Sequence, residues 1–499
     1  MPIFGKKANM PVASLPLLAA LTPSNHHVTL VDENVEELDF EQLRCMDVVG
    51  VTGMSVQRFR AKEILHKLKK DGVLTVAGGA WASVDENYFR ETADVIFVGE
   101  SEETWPEFLH DVERGRWKNR YVQESNSDMS KVPVPKFSLL KMDNYLYGSI
   151  QISRGCPFLC EFCDIIVTFG RRPRLKSSTQ VIAELNELRN HGMKQIFIVD
   201  DNLIGNKAGV KVVLKDIIRY QEQHRYPFRF LTEATLDLAE DDEMMDLMAE
   251  ANINAVFIGI ESPKKESLAE TRKYQNIRPH AGTLLQRVTK IQTAGIEVAC
   301  GMIVGFDNDD ESIFAAQEQF LTEASIPHAM IGMLYAIPKT PLYERLLIEK
   351  RLDSVNEGSY GTNVIPMNMT RDMLREGYIN VMRYMNQTSA YFERVDALYL
   401  HGRLAYQRMG RFKFLKEHRL DNLMAKLRSI LYCTILCIRI IKNVKNRGLR
   451  REYLGRTVRC LLRTRDVTVC LSYLVKCAIH YHNHKLVEGL SNGKLVSTM

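Results

Sequence analysis

The stretch that decides the fold is Arg154-Gly155-Cys156-Pro157-Phe158-Leu159-Cys160-Glu161-Phe162-Cys163, a CxxxCxxC pattern of three cysteines. It follows directly after an apolar run that is typical of a buried strand. Three thiolates at this spacing suit an iron–sulfur cluster, and three ligands on a four-iron cube leave one iron open. A zinc site with a distant fourth ligand and three unreactive thiols are the alternatives. The pattern predicts that Cys156, Cys160 and Cys163 bind a metal cluster.

Around this motif, from about residue 148 to 345, apolar runs alternate with helical patterns such as 179–191 and 280–294. Six runs predict strands. They are Ser149–Ile152, Gln195–Val199, Phe228–Leu231, Ala255–Gly259, Val298–Ile303 and Ala329–Met333. Six βα repeats favour a partial (βα)6 barrel, in which functional residues follow the carboxyl ends of the strands.

Residues 1 to about 120 alternate in the same way, which predicts a Rossmann-like parallel α/β sheet. The predicted strands are His27–Asp32, Val48–Thr52, Leu74–Ala77 and Val95–Val98. Glycines follow three of them, at Gly53, Gly78-Gly79 and Gly99, where they let backbone approach a bulky ligand or form a tight turn. Residues 10–21 resemble a first helix with no apolar strand before it, so the usual first strand is missing.

The composition excludes several classes of protein. A chain of 499 residues with 45% hydrophobic content is an ordinary globular protein of two to four domains. No apolar run reaches about 18 residues, so no membrane-spanning helix is expected. The N-terminus lacks the apolar core of a signal peptide. We therefore expect a cytoplasmic protein with reduced thiols.

The C-terminal region, helical in pattern after Leu352, differs in charge from the rest. Residues 401–499 carry 21 Lys/Arg against 5 Asp/Glu, a balance of +16, whereas the first 400 residues balance at −11. A basic tail suggests an anionic partner, although a solvated basic face would have the same composition. Its apolar run Ser429–Ile441 is too short to span a bilayer and is either a core helix or a membrane-surface helix. If the anionic partner is a membrane, the tail would make peripheral contact with its inner face.

The cysteine motif resembles the radical S-adenosylmethionine (SAM) superfamily, in which three cysteines hold a [4Fe–4S] cluster and the open iron binds SAM. The resemblance implies reductive cleavage of SAM to a 5′-deoxyadenosyl radical, with an electron from a flavodoxin- or ferredoxin-type donor. Acidic residues that follow a strand could instead cap the N-terminus of the next helix, so this alternative applies to each acid in the following set. The residues implied to bind SAM are Asp200, Asp201, Asn202, Glu233, Glu261, Ser262, Ile303 and Gly305.

The N-terminal block is similar to the cobalamin-binding domains fused to radical SAM domains, in the subfamily of the hopanoid C-2 methylases. The similarity covers residues 5–400 and rests on Gly5–Pro11, Val31–Asn34, Thr52–Arg58, Gly78-Gly79, Gly99–Glu103, Gly361–Pro366 and Gly377-Tyr378. The residues implied to bind cobalamin are Thr52, Gly53, Met54, Gly78, Gly79, Gly99 and Glu100.

Two departures from that subfamily bear on cobalamin. There is no DxHxxG motif, so no histidine is offered to the cobalt, although cobalamin binds in this subfamily without one. The missing first strand would be explained by a translation start upstream.

The sequence thus predicts an α/β protein of five regions. These are a cobalamin-binding-like Rossmann domain (1–120), a linker (121–147), a radical SAM partial barrel (148–350), a helical extension (351–400) and a basic helical tail (401–499). The predicted function is cobalamin-dependent methylation of an unactivated carbon in a small molecule or lipid. The alternatives are a cobalamin-dependent oxidation, cyclisation or rearrangement, and a non-catalytic iron–sulfur or cobalamin sensor. No nucleic-acid partner is expected, because no stacking aromatic pattern is present.

Overall fold

The computed structural model describes residues 3–355 and 357–494 and divides into two compact units. The N-terminal unit comprises Met10–Gly209 and Ile337–Arg345. The C-terminal unit comprises Met1–Asn9, Val210–Ala336 and Leu346–Met499.

The N-terminal unit contains eight strands and seven helices among its described residues. The strands are β1 (Val48–Thr52), β2 (Leu74–Gly78), β3 (Val95–Val98), β4 (Arg120–Val122), β5 (Gly148–Ile150), β6 (Ser153–Arg154), β7 (Arg174–Leu175) and β8 (Gln195–Ile198). The helices are α1 (Ser14–Leu21), α2 (Phe40–Arg44), α3 (Arg58–Lys70), α4 (Ala80–Val84), α5 (Thr104–Glu113), α6 (Ile165–Thr168) and α7 (Ser178–Asn190).

The first four strands form a parallel sheet in the order β1-β2-β3-β4. Helix α3 packs on this sheet because Ala61, Ile64, Leu65 and Leu68 recur at helical spacing and form its buried face. Strands β5 and β8 pair in parallel, while β6 and β7 form a short antiparallel hairpin. The three predicted strands that correspond to β1, β2 and β3 are confirmed.

The predicted strand His27–Asp32 is wrong, because residues 27–32 form no strand in the structure. In the 2-1-3-4-5 strand order of doubly wound folds, the first strand lies between the second and the third. Residues 27–32 stand in the place of the second strand of that order, and no strand precedes them among the described residues. They therefore have no backbone partner with which to form a ladder. Within the described residues β1 accordingly pairs with β2 alone. The predicted linker 121–147 begins inside β4, a strand too short for its pattern to be visible.

The C-terminal unit is built on four parallel strands followed by a helical region. The strands are β9 (Arg229–Ala234), β10 (Ile253–Glu261), β11 (Glu297–Val304) and β12 (Ala329–Met333), each paired with the next. Their burial largely alternates along the chain, as expected where one face of a sheet packs on the core. These strands confirm the last four strands predicted for the barrel.

Thirteen helices complete the described chain, and two of them, α8 and α13, cross the boundaries between the units. They are α8 (Lys207–Gln223), α9 (Asp242–Glu250), α10 (Lys265–Glu270), α11 (Leu284–Thr293), α12 (Ser312–Glu323), α13 (Pro341–Ile348), α14 (Glu357–Tyr360), α15 (Arg371–Met385), α16 (Thr388–Tyr399), α17 (Gly410–Glu417), α18 (Arg419–Asn443), α19 (Arg447–Thr464) and α20 (Val467–Ser491).

Helices α16, α18, α19 and α20 share a core built on aromatic side chains such as Phe392, Tyr453 and Tyr473. The five cysteines of this region are free thiols, three of them buried and two half-buried. Cys433, Cys437, Cys460 and Cys477 pack in this core as small apolar residues. Within the described residues, no helix combines the length and the apolar character needed to cross a bilayer.

Candidate cofactor site

The three cysteines lie on the loop between the hairpin strands β6 and β7. The loop turns at Gly155, whose φ of +96° is in the left-handed region. A Cβ at this position would lie 3.1 Å from the carbonyl oxygens of Arg172 and Gly170, so the turn requires glycine. The amide of Cys156 donates to the Gly170 carbonyl at 3.3 Å and closes the loop.

Two aspartates that follow β8 hold this loop in place. Asp200 accepts hydrogen bonds from the amides of Ile152 and Ser153 at 2.7 and 2.9 Å, and from the Ser153 hydroxyl at 3.0 Å. Asp201 accepts from the Gly155 amide at 2.6 Å. Burial raises the pKa of Asp200 to about 7 and that of Asp201 to about 6, against the opposing effect of these bonds. Both side chains therefore act on the backbone that carries the cysteines.

The donor set fits an iron–sulfur cluster. Burial raises the pKa of the Cys163 thiol, and the nearby charges of Asp164, Cys160 and Cys156 raise it further, so the three sulfurs are electrostatic neighbours. Each cysteine of a [4Fe–4S] site binds a different iron, so the three sulfurs need not surround one point. In residues 3–355 and 357–494, no three His, Cys, Asp or Glu side chains are gathered around a single metal ion.

A buried cluster of charges fixes the base of the hairpin. Glu100, at the carboxyl end of β3, accepts from Arg154 on β6 at 3.0 Å and from Arg174 on β7 at 3.0 Å. Arg154 also pairs with Glu102 at 2.7 Å, and the Ser127 amide donates to Glu100 at 2.8 Å. Burial opposes ionisation of Glu100, but the hydrogen bond from Arg174 and the charge of Arg154 hold its pKa below the ordinary value. We call these four charged residues the Glu100 cluster.

The far side of the cysteine loop is held by the returning segment Ile337–Arg345. Glu161, between the second and third cysteines, accepts from Arg345 at 2.8 Å, and its carbonyl accepts from the Leu342 amide at 3.0 Å. In the same segment, Lys339 donates to the Ser83 carbonyl at 2.6 Å. The segment therefore links the cysteine loop to helix α4, which follows β2, within the N-terminal unit.

The glycines predicted to bind cobalamin are used first for packing. Gly79 has a φ of +91°, and a Cβ there would contact the Thr52 hydroxyl and lie 3.1 Å from the Gly53 amide nitrogen. The ends of β1 and β2 are thereby brought together. Gly99 also has a positive φ, and its amide donates to Ser83 at 3.0 Å. Gly78 lies 3.6 Å from Phe97 by the same construction, an ordinary contact.

Beyond the end of β1, apolar side chains are open to solvent. Met54 is 64% exposed and Phe59 is 59% exposed, and Val56 between them is also exposed. A group of large apolar side chains on a surface more often marks a binding site than a patch that only faces water. The position is also the edge at which parallel α/β sheets bind their ligands. These residues fit a large flat ligand such as a corrin ring.

In the C-terminal unit, the end of β10 carries a strained acidic residue. Glu261 has a φ of +66° and forms a buried ion pair with Lys273 at 2.8 Å. A Cβ at Gly259 would lie 2.8 Å from the Lys273 amine, so glycine is needed for this pair to form. Asn276 donates to the carbonyls of Gly259 and Ile260 at 3.0 and 3.1 Å. Backbone strain held by surrounding contacts is typical of functional sites.

The neighbouring strand ends place the other residues predicted to bind SAM. Glu233 on β9 lies opposite Phe257 of β10, and Ser262 follows Glu261 directly. On β11, the carbonyl of Ile303 accepts from Gln317 at 2.8 Å, and β11 ends before Gly305, which has a φ of +100°. The amides of Gly305 and Phe306 donate to Asp309 at 3.0 and 3.1 Å.

Three site residues are absent from the sequence analysis. Lys273, which pairs with Glu261, and Asp309, which accepts from the Gly305 amide, both lie in loops. Their spacing from these partners matches no helix or strand period, so no sequence pattern indicates the contacts. Arg174 lies on a two-residue strand, too short for pattern analysis. The one available signal for Arg174 was its place after the cysteine motif in the basic run Arg171-Arg172-Pro173-Arg174.

Comparison with known proteins identifies the family of the chain. Residues 150–317 match the Radical SAM superfamily model, and residues 340–494 match a domain of unknown function, DUF4070. The hopanoid C-2 methylase of Rhodopseudomonas palustris is 33% identical over 79% of this chain and 74% of its own length. The chain belongs to the radical SAM superfamily. Within it, the chain belongs to the family that contains this methylase. An uncharacterized methyltransferase of Synechocystis sp. is 38% identical over the same shares of the two chains.

Solved structures share the radical SAM fold at low sequence identity. The methyltransferase TsrM of Kitasatospora setae, bound to tryptophan and a SAM analogue, matches with a TM-score of 0.55, covering 69% of this chain and 76% of TsrM at 16% identity. The apo form of OxsB, a cobalamin-dependent radical SAM enzyme, matches with a TM-score of 0.59, covering 98% of this chain and 79% of OxsB at 15% identity. The chain is thus a radical SAM enzyme, a family whose cofactors are a [4Fe–4S] cluster and SAM.

Proposed function

We propose that this protein is a cobalamin-dependent radical SAM enzyme that transfers a methyl group to an unactivated carbon. The observation that carries the proposal is the Glu100 cluster. It joins the hairpin of the CxxxCxxC loop to the ligand-binding edge of the N-terminal sheet inside one compact unit. When bound, the iron–sulfur cluster would supply the electron that cleaves SAM, and the cobalamin would supply the methyl group that is transferred.

The roles at the cysteine loop follow from its contacts. Cys156, Cys160 and Cys163 bind the cluster. Asp200 and Asp201 position the loop, since the hydrogen bonds described for their carboxylates all come from β5–β6 and the loop backbone. We assign the contact with the SAM methionyl group to Asn202, whose amide nitrogen lies 4.0 Å from the Cys156 sulfur.

Within the C-terminal unit, the residues that the family resemblance implies for SAM lie at the strand ends. Glu261, held by Lys273, and its neighbour Ser262 are placed to bind the ribose hydroxyls. Ile303 on β11 and Gly305 just after this strand offer backbone to the adenine, and Glu233 binds near the methionyl amine. Carboxylates and backbone groups suit these partners because they accept from hydroxyl and amino donors.

The cobalamin would lie against the ends of β1, β2 and β3. Met54, with Val56 and Phe59, would cover its apolar ring, while Thr52, Gly53, Gly78, Gly79 and Gly99 shape the backbone beneath it. Glu100 keeps its ion pairs and supports the ligand-binding edge from below.

We propose a lipid or another apolar small molecule as substrate and a flavodoxin- or ferredoxin-type protein as electron donor. The relative from R. palustris is named for methylation of a hopanoid. The basic tail, with its balance of +16, would bring the enzyme to an anionic membrane surface, where such a substrate would be found. The enzyme would then act at the cytoplasmic face of the membrane.

The test uses anaerobically reconstituted full-length protein, a reductant, SAM with a deuterated methyl group and a hopanoid in detergent. Mass spectrometry should find the label on a carbon of the lipid and 5′-deoxyadenosine in the supernatant. Formation of 5′-deoxyadenosine together with an unmethylated, oxidised or rearranged product would replace methyl transfer with the alternative radical reaction. No 5′-deoxyadenosine with any of several reductants would leave only a sensor role.

A further inference from the structure

Helix α18 exposes an apolar face along most of its length. Leu423, Leu427 and Leu431 are 55%, 51% and 58% exposed. Further exposed apolar side chains continue this side of the helix, and they are Leu420, Met424, Ile438 and Ile441. At 3.6 residues per turn these positions form one continuous stripe. We call this stripe the outer face of α18.

The opposite side of α18 already provides the packing that the fold needs. Ala425, Ser429, Leu436 and Ile440 are buried, and the helix packs on α20. Helices of globular proteins usually combine one buried apolar face with one polar face. In α18 both faces are apolar, so the outer face has no role in the core formed by the described residues.

The surroundings of the outer face are basic. Exposed cations on α18 itself are Arg419, Lys426, Arg428 and Lys442, and the segments directly before and after the helix add the exposed Lys416, Lys445 and Arg447. The exposed acids over residues 410–466 are Glu417 and Glu452. A long apolar stripe edged by Lys and Arg is typical of helices that lie in the headgroup region of an anionic bilayer.

We propose that the outer face of α18 docks on an anionic lipid bilayer, with its leucines among the acyl chains and the flanking Lys and Arg on the phosphates. This inference gives the proposed membrane contact a defined surface, and it rests on that contact and not on the reaction. A second copy of the chain is disfavoured as the occupant because both tails carry +16. A protein occupant would need an apolar groove with acidic rims matched to this helix, whereas an anionic bilayer offers both chemistries without a matched shape.

The test is co-flotation of the full-length protein with vesicles of phosphatidylcholine, alone or mixed with phosphatidylglycerol. The wild type should float with the mixed vesicles only, and salt should weaken binding. The triple variant L423Q/L427Q/L431Q should bind roughly a hundredfold more weakly, since it removes three apolar groups from the bilayer. The matched control is V212Q/L347Q/I348Q, which changes equally exposed aliphatic residues of the same unit and should bind like the wild type.

Thermal melting of each variant establishes that it is folded, and iron content after reconstitution shows that the cysteine loop is intact. Failure of the wild type to float with phosphatidylglycerol vesicles would overturn the proposal, as would unchanged binding by L423Q/L427Q/L431Q. Concentration-dependent dimerisation that this variant abolishes would assign the stripe to a protein interface instead. None of these outcomes depends on SAM cleavage, so the membrane proposal and the proposed reaction fail separately.

Discussion

The cysteine hairpin and helix α18 depart from the usual distribution of side chains in opposite directions. Around the hairpin, the Glu100 side chain is 2% exposed and Arg154 is 8% exposed, so charges are buried. Along α18, leucines are more than half exposed. Burying charge is costly unless every partner is present, and exposing apolar surface gives up the free energy of burying it.

The difference shows how each region is completed. The charges of the Glu100 cluster are paired inside the N-terminal unit by its own ion pairs and by the Ser127 amide, so its role is to hold the hairpin. The outer face of α18 is completed by no described residue of its unit, so its role lies with a partner outside the chain. Buried charge thus indicates positioning, whereas exposed apolar surface indicates binding.

The largest expected effect concerns the cysteines that the hairpin carries. Replacement of Cys156, Cys160 or Cys163 by alanine should abolish iron binding and the visible absorption of the cluster, because each thiolate binds a different iron. The control is C45A, which removes an exposed thiol on another part of the same unit. Full iron content in the C160A variant would contradict the assignment.

Next in size is the effect of E100Q. Removing this charge leaves the half-buried Arg174 without its ion partner and the buried Arg154 with Glu102 alone, which should lower the free energy of unfolding by roughly 3–5 kcal/mol. The matched control E107Q breaks the exposed pair with Lys118, which solvent screens, and should change the free energy of unfolding far less. Denaturant titration measures both values. Equal costs for the two variants would remove the positioning role of Glu100.

Acidification should separate the two regions. Burial lowers the pKa of His480 to about 4, and in the C-terminal core this ring lies 2.6 Å from the Tyr453 hydroxyl. Between about pH 6.5 and 4 the unfolded chain takes up a proton that the folded chain excludes, which destabilises the helices by roughly 3 kcal/mol. The pKa of Glu100 is lowered, so its contribution to stability persists to lower pH.

Circular dichroism of the helices and hydrogen exchange of the hairpin amides, followed against pH, should therefore show the helices loosening first. In an H480N variant the helices should lose less stability on acidification. Loss of hairpin protection before any change in the helices would reverse the comparison.

The smallest effect is expected at the outer face of α18. L427Q should change the free energy of unfolding by no more than about 0.5 kcal/mol, because the side chain packs against little. L436A, on the buried side of the same helix, should cost about 2–5 kcal/mol. A cost above about 2 kcal/mol for L427Q would show that the outer face serves the fold.

A feature of this structure can be predicted from the sequence when the residues that form it lie close together along the chain. The strands with strong apolar runs, such as β1 and β12, and the CxxxCxxC motif were correctly placed, because each signal lies in one short stretch. His27–Asp32 was not, because a strand needs a partner as well as a pattern. Glu100 was predicted as a cobalamin contact, and its two arginines are 54 and 74 residues away along the chain. Pairs so distant in sequence leave no local pattern.

The most direct test of the central claim is anaerobic reconstitution of the full chain with iron, sulfide and hydroxocobalamin, followed by gel filtration, reduction and addition of SAM. Optical spectra should show the iron–sulfur cluster and retained cobalamin in one fraction, and that fraction should form 5′-deoxyadenosine. The C160A variant should form none. A wild-type fraction that carries the cluster and cleaves SAM, but loses all cobalamin on the column, would contradict the account of a cobalamin-dependent enzyme.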